Sequence, residues 1–181
     1  MRTKAVTRKA VPMWPPDAAT VIELARAGGV SLGSAESLTG GAVSAAFTAV
    51  AGASDVWRGA IVAYDEAVKR DVLDVPASVL TEVGAVSADT ALAMAHGARS
   101  RLGAGVVVAT TGVAGPKAHA GKAVGTVVIA VVGPGFARTQ EFAFVGDRGE
   151  IAQCAVDAAI GVLFRAVGGH EPGSHGTGEQ L

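Results

Sequence analysis

The chain has 181 residues, half of them apolar but only 4% aromatic, with 15 Lys and Arg against 16 Asp and Glu. A net charge of −1 argues against a protein that holds nucleic acid by neutralising phosphates, and no apolar run reaches the roughly 18 residues of a membrane span. The single cysteine, Cys154, permits no internal disulfide and suits a reducing compartment, so a cytoplasmic protein is expected.

Residues 1–16 read as a flexible arm. They are basic, lack an apolar stretch behind the charges, and are broken by Val11-Pro-Met-Trp-Pro-Pro16, so they do not form a secretory signal. Asp17 opens a helix to about Arg26, stopped by Gly28-Gly29. A strand over 30–36 follows, then a helix over 41–51 and a turn at 52–55. Residues 59–64 form a second, buried strand. A helix begins at Asp65 and runs to Leu73, a short one runs from Pro76 to Val83, and Ser87 caps another that ends before Gly103. Residues 105–111 are the clearest central strand. Residues 124–132 and 137–145 form a hairpin across Gly133-Pro-Gly135. Asp147-Arg-Gly-Glu150 has the form of a capping box ahead of a last helix, with Cys154 in its apolar face. The stretch 168–181 has no periodicity and reads as a disordered tail. This succession predicts one domain over 17–167. Its fold class is α/β, a three-layer α/β/α sandwich with a mixed, mostly parallel sheet of about five strands. With mean hydropathy at +0.42, surplus apolar surface also predicts a homo-oligomer.

Three strand ends carry chemistry. Residues 34–41 (Ser34-Ala-Glu-Ser-Leu-Thr-Gly-Gly41) hand a strand to a helix. Residues 64–69 join Tyr64 to Lys69, and residues 110–116 contain Thr110, Thr111 and two glycines. A strand-to-helix turn offers unpaired N–H groups and the positive end of a helix dipole, which suit phosphates and oxyanions. The same turn read alone is also ordinary helix capping. Ligands of open α/β sheets collect at the carboxyl ends of strands, so the convergence of three such ends is what points to a site. His96, His119, His170 and His175 have no zinc-ligand spacing, and no metal is expected.

In this order, Ala35-Glu-Ser-Leu-Thr-Gly-Gly41, Arg58-Gly-Ala-Ile-Val-Ala-Tyr64 with Lys69, Gly84-Ala-Val-Ser87, Thr111-Gly-Val-Ala-Gly-Pro116, Val124-Gly-Thr-Val127 and Gly146-Asp-Arg148 resemble the C-terminal domain of the competence/damage-inducible protein CinA. That family also occurs as stand-alone nicotinamide mononucleotide deamidases. The resemblance implies hydrolysis of the substrate carboxamide to nicotinate mononucleotide and ammonia, in pyridine-nucleotide salvage, with a small-molecule nucleotide as the partner and no metal or redox cofactor. It implies Ser37 as nucleophile, with Lys69 and Tyr64 handling its proton. Glu36, Thr39, Gly40, Gly41, Thr111, Gly112 and Arg148 are the implied substrate-binding residues, Arg148 suiting the phosphate. A serine hydroxyl needs a neighbouring base to become a nucleophile, and a lysine can serve if burial lowers its pKa.

Two departures bear on this. The family often has Asn where this chain has Glu66, and a carboxylate there favours the charged, non-basic form of Lys69. The loop 117–122 lacks the glycine-rich, acidic stretch of many relatives. A nucleotide-binding protein with weakened catalysis, and an amidase for another small carboxamide, are the alternatives.

Overall fold

The computed structural model describes residues 16–168. The proposed arm and tail lie, but for their last and first residues, outside the described residues. In chain order the elements are α1 (Ala18–Ala27), β1 (Leu32–Glu36), α2 (Ala42–Thr48), a 3₁₀ turn (Ala53–Asp55), β2 (Trp57–Val62), α3 (Glu66–Leu73), α4 (Ala77–Glu82), α5 (Ala88–Leu102), β3 (Val106–Gly112), β4 (Thr126–Gly133), β5 (Phe136–Ala143) and α6 (Arg148–Ala166).

The helix starts follow from their caps. Asp17 accepts from the Thr20 N–H, Asp65 from that of Ala67, and Ser87 from that of Thr90. Asp147 and Glu150 form the reciprocal capping box of α6, the pairing that satisfies two of the orphan N–H groups at a helix start. α2 is shorter than expected, and β2 begins two residues early. Trp57 is buried there, its ring stacked on Phe47 of α2 at 4.3 Å and 6°.

The five strands form one sheet in the order β2-β1-β3-β4-β5. β1 pairs in parallel with β2 and β3, while β4 is antiparallel to β3 and β5. Four strands therefore run one way and β4 alone is reversed, as a mixed, mostly parallel sheet requires. β3 shows the two-sided burial. Val106 and Val108 join the apolar layer shared with α1, α2 and α6, whereas Val107 and Ala109 join the layer shared with α5. Successive strand residues point to opposite faces, so a run of small apolar residues is what a strand covered by helices on both sides needs. Cys154, expected in the apolar face of α6, is half-buried there.

The topology positions the site. The chain steps from β1 to β2 on one side, then crosses back over β1 to reach β3 on the other. The carboxyl ends of β2, β1 and β3 are thus adjacent, and the reversal of connection direction at β1 marks where such sheets hold ligands. β5 runs the same way, so its end delivers Asp147 and Arg148 to the same rim.

Candidate active site

A cleft of about 640 Å³ opens at these strand ends, within the usual range for a small-molecule site. Ser37 and Lys69 stand in its wall although they are only 8% and 2% exposed. Ser37 follows the last residue of β1, and its main-chain N–H is held by the Thr110 carbonyl of β3 at 3.0 Å. Lys69 is one turn into α3, and the Asp65 cap fixes where that turn starts.

The Ser37 hydroxyl and the Lys69 amine are 3.0 Å apart. Lys69 Nζ also donates to the carbonyls of Ala63, at 2.8 Å, and Tyr64, at 3.1 Å. A neutral amine has two N–H groups and one lone pair. When the amine is neutral and both N–H groups go to the carbonyls, its lone pair faces the Ser37 hydroxyl. Burial pushes the Lys69 pKa down, and the Glu66 and Asp65 carboxylates partly oppose that shift. The carboxylate effect expected of Glu66 is present but smaller than the effect of burial, so the net direction favours a base.

Of the two expected parts for Tyr64, relaying the proton or holding Lys69 in line, the contact present is of the second kind, and it is made by the main-chain carbonyl. The Tyr64 ring is 58% exposed, and its hydroxyl accepts from Arg148 Nη2. Arg148 Nη1 donates to the Gly115 carbonyl at 2.9 Å, so this residue ties the ends of β2, β3 and β5 together across the cleft. Thr111 and Gly112 line the cleft. The Thr111 hydroxyl donates to the Ala85 carbonyl at 2.6 Å and so has only acceptor capacity left.

Glu36, Thr39, Gly40 and Gly41 are not on the cleft wall. Glu36 is fully buried and accepts from five donors. Ser34 Oγ and the Ser44 N–H reach Oε1, while Thr39 Oγ1 and the N–H groups of Gly41 and Val43 reach Oε2. The carboxylate thus fills the start of α2, the place the sequence offered to a ligand anion. Because the Thr39 proton goes to Glu36, Thr39 accepts from Thr110 at 2.8 Å and has no proton for a substrate. The Gly40 N–H is bonded to the Ser37 carbonyl at 3.0 Å. Gly41 adopts φ +100, a left-handed conformation that glycine accepts without strain and that turns its N–H to Glu36. Of the amides in this turn, those of Leu38 and Thr39 are the ones without a bond among the described residues, and Leu38 is on the cleft wall.

Charged and basic residues not named as site residues from the sequence also line the cleft. They are Asp65 and Glu66 at the start of α3, and Lys117 and His119 in the loop after β3. The available signal for the last two was two basic residues just beyond a strand's carboxyl end. Among the described residues no group of three or more His, Cys, Asp or Glu is arranged to hold a metal.

The profile of the CinA C-terminal domain matches residues 16–167. A CinA-like protein from Frankia casuarinae is 45% identical over 139 residues, 77% of this chain and 32% of that protein. One from Parasynechococcus marenigrum is 44% identical over 151 residues, 82% of this chain and 36% of that protein. The chain therefore spans about a third of the length of the curated relatives it matches. Among solved structures, a CinA superfamily protein from Klebsiella pneumoniae superposes with a TM-score of 0.81 at 32% identity, covering 83% of this chain and 94% of its own. The competence/damage inducible protein CihA from Agrobacterium tumefaciens gives 0.74 at 38% identity, covering 86% and 98%. With the family profile spanning nearly all the described residues and these structures sharing the whole fold, the chain belongs to the CinA C-terminal domain family.

Proposed function

We propose that the chain is an amidohydrolase that cleaves the carboxamide of nicotinamide mononucleotide to nicotinate mononucleotide and ammonia, in the cytoplasm and in pyridine-nucleotide salvage. The observation that carries this reading is the 3.0 Å contact between a buried serine and a buried lysine in the wall of a ligand-sized cleft.

In this reading Lys69, its pKa lowered by burial, acts in its neutral form and takes the Ser37 proton as Oγ attacks the carboxamide carbon. The carbonyl oxygen becomes an oxyanion. Its candidate donor in this turn is the Leu38 amide, which is on the cleft wall, since the amides of Gly40 and Gly41 are committed. The Lys69 ammonium then gives its proton to the departing nitrogen, the C–N bond breaks, and ammonia leaves a Ser37 ester. A water molecule, deprotonated by Lys69, hydrolyses the ester, and Lys69 returns the proton to Ser37. The Ala63 and Tyr64 carbonyls hold the amine in line through both protonation states. Tyr64 and Arg148 bound the substrate at the cleft's rim, in place of a proton relay through the phenol. Thr111 and Gly112 form part of the wall.

Ser37→Ala is expected to reduce ammonia release about 10⁴-fold or more with the circular dichroism spectrum and melting temperature retained. Turnover at the wild-type rate would remove Ser37 from the mechanism. The Glu66 and Asp65 charges beside Lys69 favour one second reading, a nucleotide-binding protein with weakened catalysis. It expects nicotinamide mononucleotide to raise the melting temperature with no ammonia formed. A panel of small carboxamides with ammonia detection separates both from an amidase of other specificity.

A further inference from the structure

The proposed substrate carries a phosphomonoester, and the helix starts that follow β1, β2 and β5 at the cleft's rim are closed to it. Helix N-termini attract anions through their unpaired N–H groups and dipole. Here Glu36 fills the start of α2, and Asp65 that of α3. At α6 the Asp147 and Glu150 carboxylates occupy the end reciprocally, with N–H to oxygen distances of 2.9 and 2.8 Å. A phosphate brought to any of these would meet a carboxylate. The basic side chains that line the cleft remain to receive it.

Four basic side chains line the cleft: Lys69, Lys117, His119 and Arg148. Lys69 is at Ser37, where the carboxamide must lie. Arg148 uses one N–H of Nη1 on Gly115 and one of Nη2 on Tyr64, which fixes its guanidinium at the rim and leaves three donors. Lys117 and His119 are different. Among the described residues their side chains make no hydrogen bond or ion pair, and both are exposed toward the cleft. Their loop is nonetheless held in place. His119 and Lys122 exchange main-chain hydrogen bonds of 3.1 and 2.9 Å across Ala120 at φ 46 and Gly121 at φ 76, two successive left-handed residues as in a tight two-residue hairpin. The Arg148–Gly115 bond fastens the root of the loop to α6.

We propose that Lys117 and His119 form the anion subsite of the cleft, holding the phosphomonoester of the carboxamide substrate beside Arg148. This rests on the proposed amidohydrolase reading. A phosphomonoester carries close to two negative charges near neutral pH, and a lysine ammonium by a charge-assisted hydrogen bond and an imidazole N–H can satisfy its oxygens. The substrate then spans from Ser37 at the end of β1 to the loop after β3, with its charge at the far end.

The test compares nicotinamide mononucleotide with nicotinamide riboside, the same carboxamide lacking the phosphate. Lys117→Ala and His119→Ala are each expected to lower the ratio of kcat/KM for the mononucleotide to that for the nucleoside about tenfold. Lys117→Arg is expected to keep most of the preference. An unchanged ratio in the double variant, or an equal loss on both substrates, overturns the subsite. If wild-type protein releases ammonia from neither compound, the amidohydrolase reading fails by itself. The subsite is then read with ribose 5-phosphate as the probe. It is expected to raise the wild-type melting temperature and to leave that of the double variant unmoved, and equal shifts in both would refute it.

Discussion

Glu36 carries more hydrogen bonds than any other carboxylate near the cleft, yet it touches none of the space a ligand would occupy. Its two oxygens gather five donors from residues 34 to 44. They hold the turn that presents Ser37. Removing the carboxylate leaves three N–H groups and two buried hydroxyls without an acceptor, and each unsatisfied buried group costs about 1–3 kcal/mol. Glu36→Ala is therefore expected to lower stability by at least about 3 kcal/mol in urea denaturation, with ammonia release lost along with the geometry of the turn. A midpoint equal to wild type would mean that water replaces the carboxylate at no cost. Glu66 acts on the neighbouring group instead. Its charge raises the Lys69 pKa against the lowering by burial. Taking the charge away with Glu66→Gln lowers the Lys69 pKa further, so the base is neutral at lower pH. The ascending limb of kcat/KM against pH is expected to move toward acid, and an unmoved limb would show that Lys69 is not the group being titrated.

At the level of elements, packing reverses a local preference in α5. Gly97 sits inside this 15-residue helix, where alanine is favoured by about 1 kcal/mol. A Cβ at this position would lie 1.9 Å from the Leu73 carbonyl oxygen at the end of α3. Backbone cannot yield as a side-chain tip can, and overpacking of this kind costs on the order of 3 kcal/mol. Gly97→Ala should therefore lose about 2 kcal/mol net in urea denaturation, against about 1 gained from propensity alone. Since α3 carries Lys69, a shift of its last turn should lower activity too. A gain in stability would mean that α3 moves away freely. Element starts were legible wherever a side chain caps its own helix, as Asp17, Asp65, Ser87 and the Asp147–Glu150 pair do. The cap of α2 was not legible. Its acceptor, Glu36, lies six residues before Ala42, in a strand, and only the returning turn brings the two together.

For the whole molecule, the site depends on sheet order. Ser37, Lys69 and Thr111 come from segments that meet because β1 lies between β2 and β3, and Arg148 joins them because β5 shares the direction of those strands. The homo-oligomer proposed from the apolar surplus belongs to this scale. Light scattering is expected to give a multiple of the 17.9 kDa chain mass, and a monomer mass across concentrations would end that proposal.

The α/β alternation, the boundaries of five of the helices, the hairpin of β4 and β5 and the motif residues at three strand ends were determined by the sequence alone. Each rests on a signal between residues close along the chain: a cap, a glycine stop, an apolar period. Which side chains share the cleft was decided only by the tertiary structure. Glu36 and Ser37 are neighbours in sequence, but at the end of β1 the first turns its carboxylate to the start of α2 and the second its hydroxyl to the cleft. Lys117 and His119 gain their place from the loop that carries them over the ends of the parallel strands. A residue's surroundings in this sheet are set by strand order and pairing, which bring together groups tens of residues apart, and no local pattern encodes them.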